Sequence, residues 1–286
     1  MRTVIKSYAY LHEFFHKVFK VNIPGLGYLY RQINNDFYLD VKGHKMFFNH
    51  KAADNYGRLI NGRFNEPETH FFLDHVFSKS PGKPFHFIEV GGNIGEFVLD
   101  YGTNPDVAKV TVFEPQPAQS DAISKTILVN NLKHVELIKK PVSNAVEEIL
   151  FNFNPINASA SGISNNNVGT PIMATTLDTV IEIGDYDYVM LVDVEGAELK
   201  VFEGGTELIK SKLPLIIFEY NHVTRKAFSL EEANQQLGDG YTIYRLRQDG
   251  KLDQDFSRTW NLVAVPNEND SFSHIKSQIV NSAVMA

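Results

Sequence analysis

From Pro84 onward, short apolar runs alternate along the chain with longer amphipathic stretches. Such alternation is typical of βαβ units, in which helices connect the parallel strands of one sheet. The pattern predicts seven strands, namely Phe85–Val90, Lys109–Phe113, Val135–Lys140, Tyr188–Val192, Leu215–Tyr220, Thr242–Leu246 and Asn261–Val265. It predicts four helices between them, namely Ile94–Tyr101, Ala118–Val129, Ala197–Ile209 and Leu230–Leu237. The expected fold is therefore α/β, a doubly wound, seven-stranded and mostly parallel sheet with helices on both faces.

Two regions depart from this alternation. Apolar residues from Val4 to Val18 recur at helical spacing, and Phe37–Val41 and Lys45–Phe48 flank a Lys42-Gly43 turn as the strands of a hairpin would. We therefore expect three parts, which are a helix-and-hairpin cap at residues 1–80, a main domain at residues 81–266 and a C-terminal tail at residues 267–286.

Residues 144–180 interrupt the main domain. Ile149–Phe153 predicts an extra strand, and the stretch from Asn154 to Thr170 that follows it is rich in Asn, Ser and Gly. Long irregular segments are uncommon within compact domains, and they serve as surface loops or as lids over a site. Both interpretations, a surface loop and a substrate-facing lid, are open.

Composition narrows the class of protein. With 286 residues, 43% of them hydrophobic and 21% charged, the chain has the make-up of a globular protein with one large core. No apolar run approaches the roughly 20 residues that cross a bilayer, and charged residues interrupt the first twenty, so we expect no membrane segment and a cytoplasmic protein. The formal net charge of −7 disfavours a broad basic surface, so a small or weakly charged acceptor is expected rather than a nucleic acid. The absence of cysteine excludes disulfides, thiolate metal sites and cysteine nucleophiles.

A glycine-rich turn follows the first predicted strand of the main domain. Phe85–Val90 leads into Gly91, Gly92 and Gly95, and a helix comes next. Glycines at such a place let the backbone turn sharply and bring a ligand close to the amides of the helix N-terminus. The dinucleotide pattern G-x-G-x-x-G does not fit, because Asn93 or Ile94 stands where its second glycine belongs. Asparagine does tolerate the left-handed conformation, so the turn remains tight.

Two acidic residues flank this turn. Glu89 lies within the end of the first strand, where a carboxylate would crowd a pyrophosphate but suits a ligand with an ammonium and a sulfonium group. Glu114 ends the second strand, and a carboxylate there can accept both hydroxyls of a ribose. Either acid alone could be a solvated carboxylate at a strand end. Together they predict a cationic nucleoside as the ligand.

Further polar residues follow the fourth and fifth strands of the main domain. Asp193 and Glu195 lie at the carboxyl end of the fourth strand, where open α/β sheets bind their ligands, and they are candidate reacting groups. Glu198 is interpreted as a favourable carboxylate in the first turn of the next helix. At the end of the fifth strand and just after it, Glu219 or His222 could take a proton from a substrate hydroxyl. Histidine is the side chain that ordinarily titrates near neutral pH, although a histidine at a strand end is more often structural.

The order of these motifs resembles that of the FkbM-type methyltransferases. The matching segments are Glu89–Gly95, Phe113–Pro115, Val142–Asn144, Thr176–Asp178, Asp193–Glu198 and Phe218–Tyr220, with Gly62–Glu68 before them. The resemblance covers residues 57 to 265. It implies a class I, Rossmann-like methyltransferase fold, S-adenosylmethionine as the methyl donor, and O-methylation of a hydroxyl on a sugar, a polyketide or another small molecule.

The resemblance also implies roles for individual residues. The implied cofactor-binding set comprises Glu89, Gly91, Gly92, Asn93 and Gly95 around the methionine end, Glu114 and Pro115 at the ribose, Val142, Ser143 and Asn144 on the adenine side, and Asp193 opposite. The sequence departs from the family pattern at four places, since the family often has Asp at residue 89, Ala at 92, Asp at 144 and Lys at 191. The last two departures put in doubt an adenine contact through Asn144 and a basic group near Asp193.

Three alternatives remain beside this interpretation. A nucleoside-binding module could keep the fold without the chemistry. The segment His12-Glu13-Phe-Phe-His16 matches the H-E-x-x-H pattern of zinc peptidases, but it has no clear third ligand. A divalent metal could hold substrate oxygens through Asp193 and Glu195, but the sequence assigns no further carboxylate to it, so no metal is expected. The sequence does not predict an oligomeric state.

Overall fold

The structure is a computed structural model, and it describes residues 35–78, 83–154, 161–164 and 168–280. Its strands are β1 (Phe37–Val41), β2 (His44–Phe48), β3 (Phe85–Val90), β4 (Val107–Phe113), β5 (Val135–Ile138), β6 (Glu148–Asn152), β7 (Gly162–Ile163), β8 (Thr170–Met173), β9 (Asp187–Val192), β10 (Leu215–Glu219), β11 (Tyr241–Leu246), β12 (Leu252–Asp253) and β13 (Asn261–Pro266). Its α-helices are α1 (Pro67–Phe77), α2 (Glu96–Gly102), α3 (Pro117–Val129), α4 (Leu177–Val180), α5 (Glu198–Glu203), α6 (Thr206–Lys212) and α7 (Leu230–Leu237). Four short 3₁₀ segments are His50–Tyr56, Leu59–Asn61, Thr224–Lys226 and Asp270–Gln278. The helix predicted from Val4 to Val18 lies outside the described residues.

The main sheet has eight strands in the order β12-β11-β13-β10-β9-β3-β4-β5. The five strands from β10 to β5 are parallel to one another, whereas β13 runs antiparallel to both β10 and β11. The α/β fold with a mostly parallel sheet is thus confirmed, but the prediction of seven strands is wrong. The eighth strand, β12, has only two residues, which is too short for an alternating pattern to reveal.

The strand order reverses between β3 and β9. From β3 the chain proceeds to β4 and β5 on one side, and it later returns to place β9 and β10 on the other side. In open α/β sheets, such a reversal opens a crevice at the carboxyl ends of the strands, and ligands bind there. The strand order alone therefore directs attention to the ends of β3, β4, β9 and β10.

Helices cover both faces of the sheet. Strands β3, β9 and β10 are buried along their whole length, and their side chains alternate between two hydrophobic cores. Phe87 packs in the first core with residues of α1, α2 and α3. Ile88 and Val90 pack in the second core with residues of α4, α5, α6 and α7. The prediction of helices on both faces is confirmed.

The helices differ from the predicted ones in two places. The single helix expected at Ala197–Ile209 is divided into α5 and α6 at Gly204 and Gly205. A Cβ on Gly204 would lie 2.1 Å from the carbonyl oxygen of Ser143, so glycine is needed for this close approach. Helix α1 was not predicted, although it contributes Phe72, Leu73, Val76 and Phe77 to the first core.

Outside the main sheet, the predicted hairpin is confirmed, because β1 and β2 pair antiparallel. It lies against α3, where the Phe47 amide donates to Thr126 Oγ1 at 3.0 Å. The extra strand predicted in the insertion is also present as β6, the middle strand of a small sheet ordered β7-β6-β8. The segment expected as a tail is partly packed, since Phe272 and Ile275 belong to the first core. Among the helices that the structure describes, none is both long and apolar enough to cross a bilayer.

Candidate functional site

A cleft of about 670 Å³ opens at the carboxyl ends of β3, β4 and β9. Its lining includes Gly91 and Asn93 from the glycine turn, Glu114 and Pro115 from the end of β4, Val142, and Asp193 and Glu195 from the end of β9. The structure therefore brings together residues from four of the segments identified in the sequence, at the point where the strand order reverses.

The glycine turn forms one wall of the cleft. Gly91, Asn93 and Gly95 have positive φ angles of 98°, 46° and 84°. A Cβ on Gly91 would lie 1.9 Å from the carbonyl oxygen of Asp193, and one on Gly92 would lie 2.4 Å from Val112 Cγ2. The amides of Gly91 and Gly92 both donate to the Phe113 carbonyl, at 2.9 and 3.0 Å. These contacts fix the turn against β4 and β9, so the backbone itself can approach a ligand.

Glu114 forms hydrogen bonds both with the glycine turn and with the segment that follows β4. Its side chain is only 3% exposed. Its Oε2 accepts a hydrogen bond from the Asn93 amide and its Oε1 accepts one from the Gln116 amide, both at 2.7 Å. Burial raises the pKa of Glu114 to about 7, although these two amide donors favour the ionised form. Each carboxylate oxygen keeps further acceptor capacity, which two neighbouring hydroxyls could use.

Glu89 faces a second cavity of about 400 Å³ on the other side of the glycine turn. Glu66, Glu96 and Asp193 line the same cavity. Glu89 is 2% exposed, and its buried Oε2 has no hydrogen-bond partner. Its pKa is raised well above the ordinary range by burial and by the nearby Glu114. A cavity surrounded by four carboxyl groups suits a cationic group such as an ammonium.

The sequence did not identify Glu66 and Glu96 as part of this cavity. Glu96 lies at the start of α2, where its two oxygens accept hydrogen bonds from the Asn65 amide at 2.8 Å and from Asn65 Nδ2 at 2.6 Å. Glu66 Oε2 accepts from Asn261 Nδ2 at 2.6 Å. These bonds link the segment before α1 to the glycine turn and to β13. For Glu66, the signal in the sequence was the family resemblance of residues 62–68.

Three carboxyl groups meet at the ends of β9 and β10. One oxygen of each of Asp193, Glu195 and Glu219 lies within 4.8 Å of the others. Burial raises the pKa of Glu195 to about 7 and that of Glu219 to about 8, and repulsion from neighbouring carboxylates adds to both effects. The pKa of Asp193 is raised well above its ordinary value, first by burial and then by Glu219. A carboxylate with a raised pKa is a more effective general base near neutral pH.

The turn that carries Glu195 is held by Glu198. Glu195 has a φ of 57° and Gly196 a φ of 103°, so two successive residues adopt the left-handed conformation. Glu198 opens α5, as the sequence suggested, and its Oε1 accepts from the amides of Val194 and Gly196 at 3.2 and 3.3 Å. This buried carboxyl group therefore positions Glu195 through the backbone on either side of it.

His222 is the one candidate reacting residue that the structure does not bring to this cluster. Its side chain is exposed and lines neither cavity. The preceding Asn221, which sequence reasoning missed, is buried and donates a hydrogen bond to Glu219 Oε1. Asn221 Oδ1 in turn accepts from the Val223 amide at 2.6 Å. An asparagine directly after a strand, where it can form an Asx turn, was the available signal.

The three residues predicted to lie near the adenine, Val142, Ser143 and Asn144, differ in their position relative to the cleft. Val142 lines the cleft, whereas Ser143 is buried beneath it and Asn144 is exposed outside it. The adenine contacts of Ser143 and Asn144 stay predictions. Residues of the insertion line the cleft instead, namely Phe151, Ser161, Gly162 and Ile163.

A hydrogen bond from Ser161 Oγ to Gln116 Oε1 at 2.9 Å links the insertion to the cleft. Part of the segment interpreted as a loop or lid therefore contacts the cleft. Residues 155–160 and 165–167 of that segment lie outside the described residues, as does the His12-Glu13-x-x-His16 pattern.

The chain is similar to known methyltransferases. A family model described as the methyltransferase FkbM domain matches residues 89–248, which is more than half of the chain. A search of the curated proteins gives no match.

Among solved structures, the chain is similar to methyltransferase FkbM from Methylobacillus flagellatus KT, with 13% identity and a TM-score of 0.45, over 75% of this chain and 54% of that one. It is similar to an rRNA methylase from Streptococcus thermophilus, with 11% identity and a TM-score of 0.42, over 71% and 98% of the two chains. It is also similar to M. jannaschii TYW2 in complex with AdoMet, with 11% identity and a TM-score of 0.38, over 80% and 84% of the two chains. The present chain thus spans about half the length of the Methylobacillus protein.

Proposed function

Because the chain belongs to the FkbM methyltransferase family, we propose that it transfers a methyl group from S-adenosylmethionine to a hydroxyl of a sugar, a polyketide or another small molecule. The observation that carries this proposal is the position of Asp193. This residue lines both the cleft that contains Glu114 and the cavity that contains Glu89. A nucleoside in the cleft and an ammonium group in the cavity would therefore place the atoms between them beside the carboxyl cluster.

The residues present fit this cofactor. The backbone of the glycine turn lines the cleft at Gly91, which has no room for a side chain because a Cβ there would overlap Asp193. Glu114 offers two carboxylate oxygens at the place expected for ribose hydroxyls. The unpartnered Oε2 of Glu89 faces the cavity that suits the ammonium end. The ribose hydroxyls and the ammonium group of the cofactor thus each have a complementary group on the chain.

The chemistry requires alignment and removal of one proton. The bound cofactor supplies a methyl group on a positively charged sulfur, so that an O–C bond forms as the S–C bond breaks and a neutral thioether product remains. Glu195 and Glu219 are placed to accept the proton of the acceptor hydroxyl. Alignment of the two reactants contributes roughly 7–11 kcal/mol in favourable cases, and a general base adds about 10²–10⁴-fold.

The charge of the site favours a neutral acceptor. The carboxyl cluster contains three acidic residues, and the whole chain has a formal net charge of −7. Both would repel the phosphates of a nucleic acid, and binding of nucleic acid relies on clustered Lys and Arg. A hydroxylated small molecule or glycan is therefore the acceptor class that we propose.

Calorimetric titration with S-adenosylmethionine tests the cofactor assignment. We expect saturable binding by the unaltered chain and at least a tenfold loss of affinity in Glu114→Ala, because the ribose loses its acceptor. Glu231→Ala is the matched control, since this exposed acid lies on α7 away from the cleft. An absence of binding, or equal affinity in Glu114→Ala, would contradict the proposal.

A screen of hydroxylated acceptors then tests the reaction. Formation of S-adenosylhomocysteine with a panel of sugars and polyketide alcohols, and a mass gain of one methyl group in the acceptor, would identify an O-methyltransferase. Cofactor binding with no product from any acceptor class would instead favour a nucleoside-binding module without catalysis.

A further inference from the structure

The carboxyl cluster has the geometry of a cation site. Asp193 follows β9, Glu195 lies in the turn after it, and Glu219 ends β10, so three separate backbone positions contribute. Their closest oxygens all lie within 4.8 Å of one another. Oxygen ligands around a divalent ion at about 2.1–2.4 Å are separated by about 3–4.8 Å. One ion can thus contact all three carboxylates with little movement.

Two residues of the cluster also carry buried oxygens without a hydrogen-bond partner. Glu219 is only 5% exposed, and although its Oε1 accepts from Asn221, its buried Oε2 has no partner. Asp193 Oδ1 is likewise buried without a partner. Buried carboxylate oxygens are costly unless a donor or a cation satisfies them. These two atoms are an observation separate from the clustering of acids, and they indicate a missing partner.

The chain supplies no positive charge to this cluster. Within residues 35–78, 83–154, 161–164 and 168–280, none of the three carboxyl groups forms an ion pair with a lysine, arginine or histidine. Some other acids of the protein are paired with cations; the partly buried Asp100, for example, contacts both Lys42 and His70. In their ionised forms, Asp193, Glu195 and Glu219 therefore need charge compensation from outside this part of the chain.

We infer that Asp193, Glu195 and Glu219 bind one divalent cation of the hard, oxygen-preferring class that includes Mg²⁺, Mn²⁺ and Ca²⁺. Carboxylate oxygens are the ligands that these ions prefer, and the cluster offers no nitrogen or sulfur ligand that would favour zinc. Since Asp193 and Glu195 also line the cleft, an ion held by them has free coordination positions toward it. Those positions would bind the oxygen of the acceptor hydroxyl, and the second oxygen of a carboxylate that binds the ion through one oxygen would accept the hydroxyl proton. This role rests on the proposed methyl transfer.

Titration of chelator-treated protein with Mn²⁺ alone tests the site, with free Mn²⁺ followed by its electron paramagnetic resonance signal. We expect one Mn²⁺ per chain and at least a tenfold loss of affinity in both Glu219→Gln and Glu195→Gln. Glu114→Gln is the matched control, because it removes another buried acid of the same cleft and should leave Mn²⁺ affinity within twofold. Mg²⁺ added in excess should displace the Mn²⁺.

Trp260 provides a second readout. It is the chain's one tryptophan, it is 52% exposed, and its carbonyl accepts from the Tyr220 amide at 2.9 Å, directly after Glu219. Its fluorescence should change on Mn²⁺ addition in the unaltered chain and in Glu114→Gln, and should not change in Glu219→Gln. If Glu219→Gln does not fold, the same measurements on Glu195→Gln test the cation site. This second substitution should be tolerated, because Glu195 is partly exposed and lies in a turn.

The outcomes separate this inference from the proposed function. No saturable Mn²⁺ binding by folded protein that still binds S-adenosylmethionine would overturn the cation site and leave the methyltransferase proposal intact. Mn²⁺ binding that is equal in both cluster variants would show that the ion binds elsewhere and would also overturn it. Mn²⁺ binding without any S-adenosylmethionine binding would support the cation site and contradict the proposed function.

Discussion

The two halves of the site use acidic residues in opposite ways. On the β3–β4 side, the carboxylate of Glu114 has backbone amides as partners on both of its oxygens. On the β9–β10 side, Asp193 and Glu219 each keep a buried oxygen without a partner. The geometry around Glu114 is set by the backbone, although Glu89 on the same side also keeps a buried oxygen without a partner. If the inferred cation binds, it completes the carboxyl cluster on the other side, and we expect the geometry there to respond to ligands.

The largest expected effect comes from a substitution of Gly91, in the glycine turn on the β3–β4 side of the site. Gly91→Ala would place a Cβ 1.9 Å from the Asp193 carbonyl oxygen at a φ of 98°, so the turn must move. We expect affinity for S-adenosylmethionine to fall at least hundredfold, about 2.7 kcal/mol, in calorimetric titration.

Gly43→Ala is the matched control for this loss. Gly43 has a similar φ of 84°, but no atom lies within 4 Å of the position of its Cβ. It should therefore cost only the conformational strain, about 1 kcal/mol of unfolding free energy, with cofactor affinity unchanged. Equal affinity losses in the two variants would show that strain at a glycine, and not the wall against Asp193, governs binding.

A second prediction tests how Glu198 holds the turn that carries Glu195. Burial raises the pKa of Glu198 to about 7 in the folded protein, although the amide hydrogen bonds of its turn oppose the shift. A raised folded pKa means that the folded state holds this proton more tightly, so its stabilisation is present below the unfolded pKa and is lost as the pH rises through about 7. Glu198→Gln keeps an oxygen for the Val194 and Gly196 amides but has no proton to lose.

Urea unfolding in the presence of a chelator measures this effect. Compared with the unaltered chain, Glu198→Gln should have similar stability at pH 5 and should be more stable by about 1–3 kcal/mol at pH 8. Glu231→Gln, on an exposed face of α7, should show no such pH dependence. A Glu198→Gln variant that is less stable than the unaltered chain at pH 8 but not at pH 5 would show that the charge of Glu198, and not its oxygen, holds the turn.

A third prediction concerns the ionisation of Glu114. A ribose hydroxyl donates to the carboxylate form, so binding should release a proton and strengthen as the pH rises through about 7. The ionised fraction rises from about a tenth at pH 6 to about nine-tenths at pH 8, which predicts a roughly ninefold gain in affinity. Adenosine is the suitable probe, because it has no group that titrates in this range. Glu114→Gln should bind adenosine weakly with no pH dependence, whereas a gain of affinity toward low pH would contradict the assigned role.

The same contrast explains what the sequence could predict. The glycine turn, Glu114 and the acids after β9 were identified because they lie at the ends of strands, and the apolar runs of the sequence reveal where these strands end. Asn55, which donates to Asn93 Oδ1 at 2.7 Å, and Glu66, which accepts from Asn261, were missed because their partners are 38 and 195 residues away. Helix α1 was missed, and α5 and α6 were merged, because contacts between distant segments decide where these helices begin and end. Glu219 was identified as a possible base, but its meeting with Asp193 and Glu195 depends on the parallel pairing of β9 with β10.

The smallest expected effect is that of His222→Gln, which is compared with Glu219→Gln. Sequence reasoning placed both after the fifth predicted strand as possible proton acceptors, but the structure buries Glu219 in the carboxyl cluster and exposes His222 outside both cavities. His222→Gln should therefore leave kcat and KM of methyl transfer within about twofold, whereas Glu219→Gln should lower kcat by at least the roughly 10²-fold typical of a lost general base. Steady-state assays of both variants with one acceptor, at several pH values, measure this difference. A large loss of kcat in His222→Gln would mean that the segment after β10 moves when the acceptor binds, and that the unsatisfied half of the site closes around its ligand.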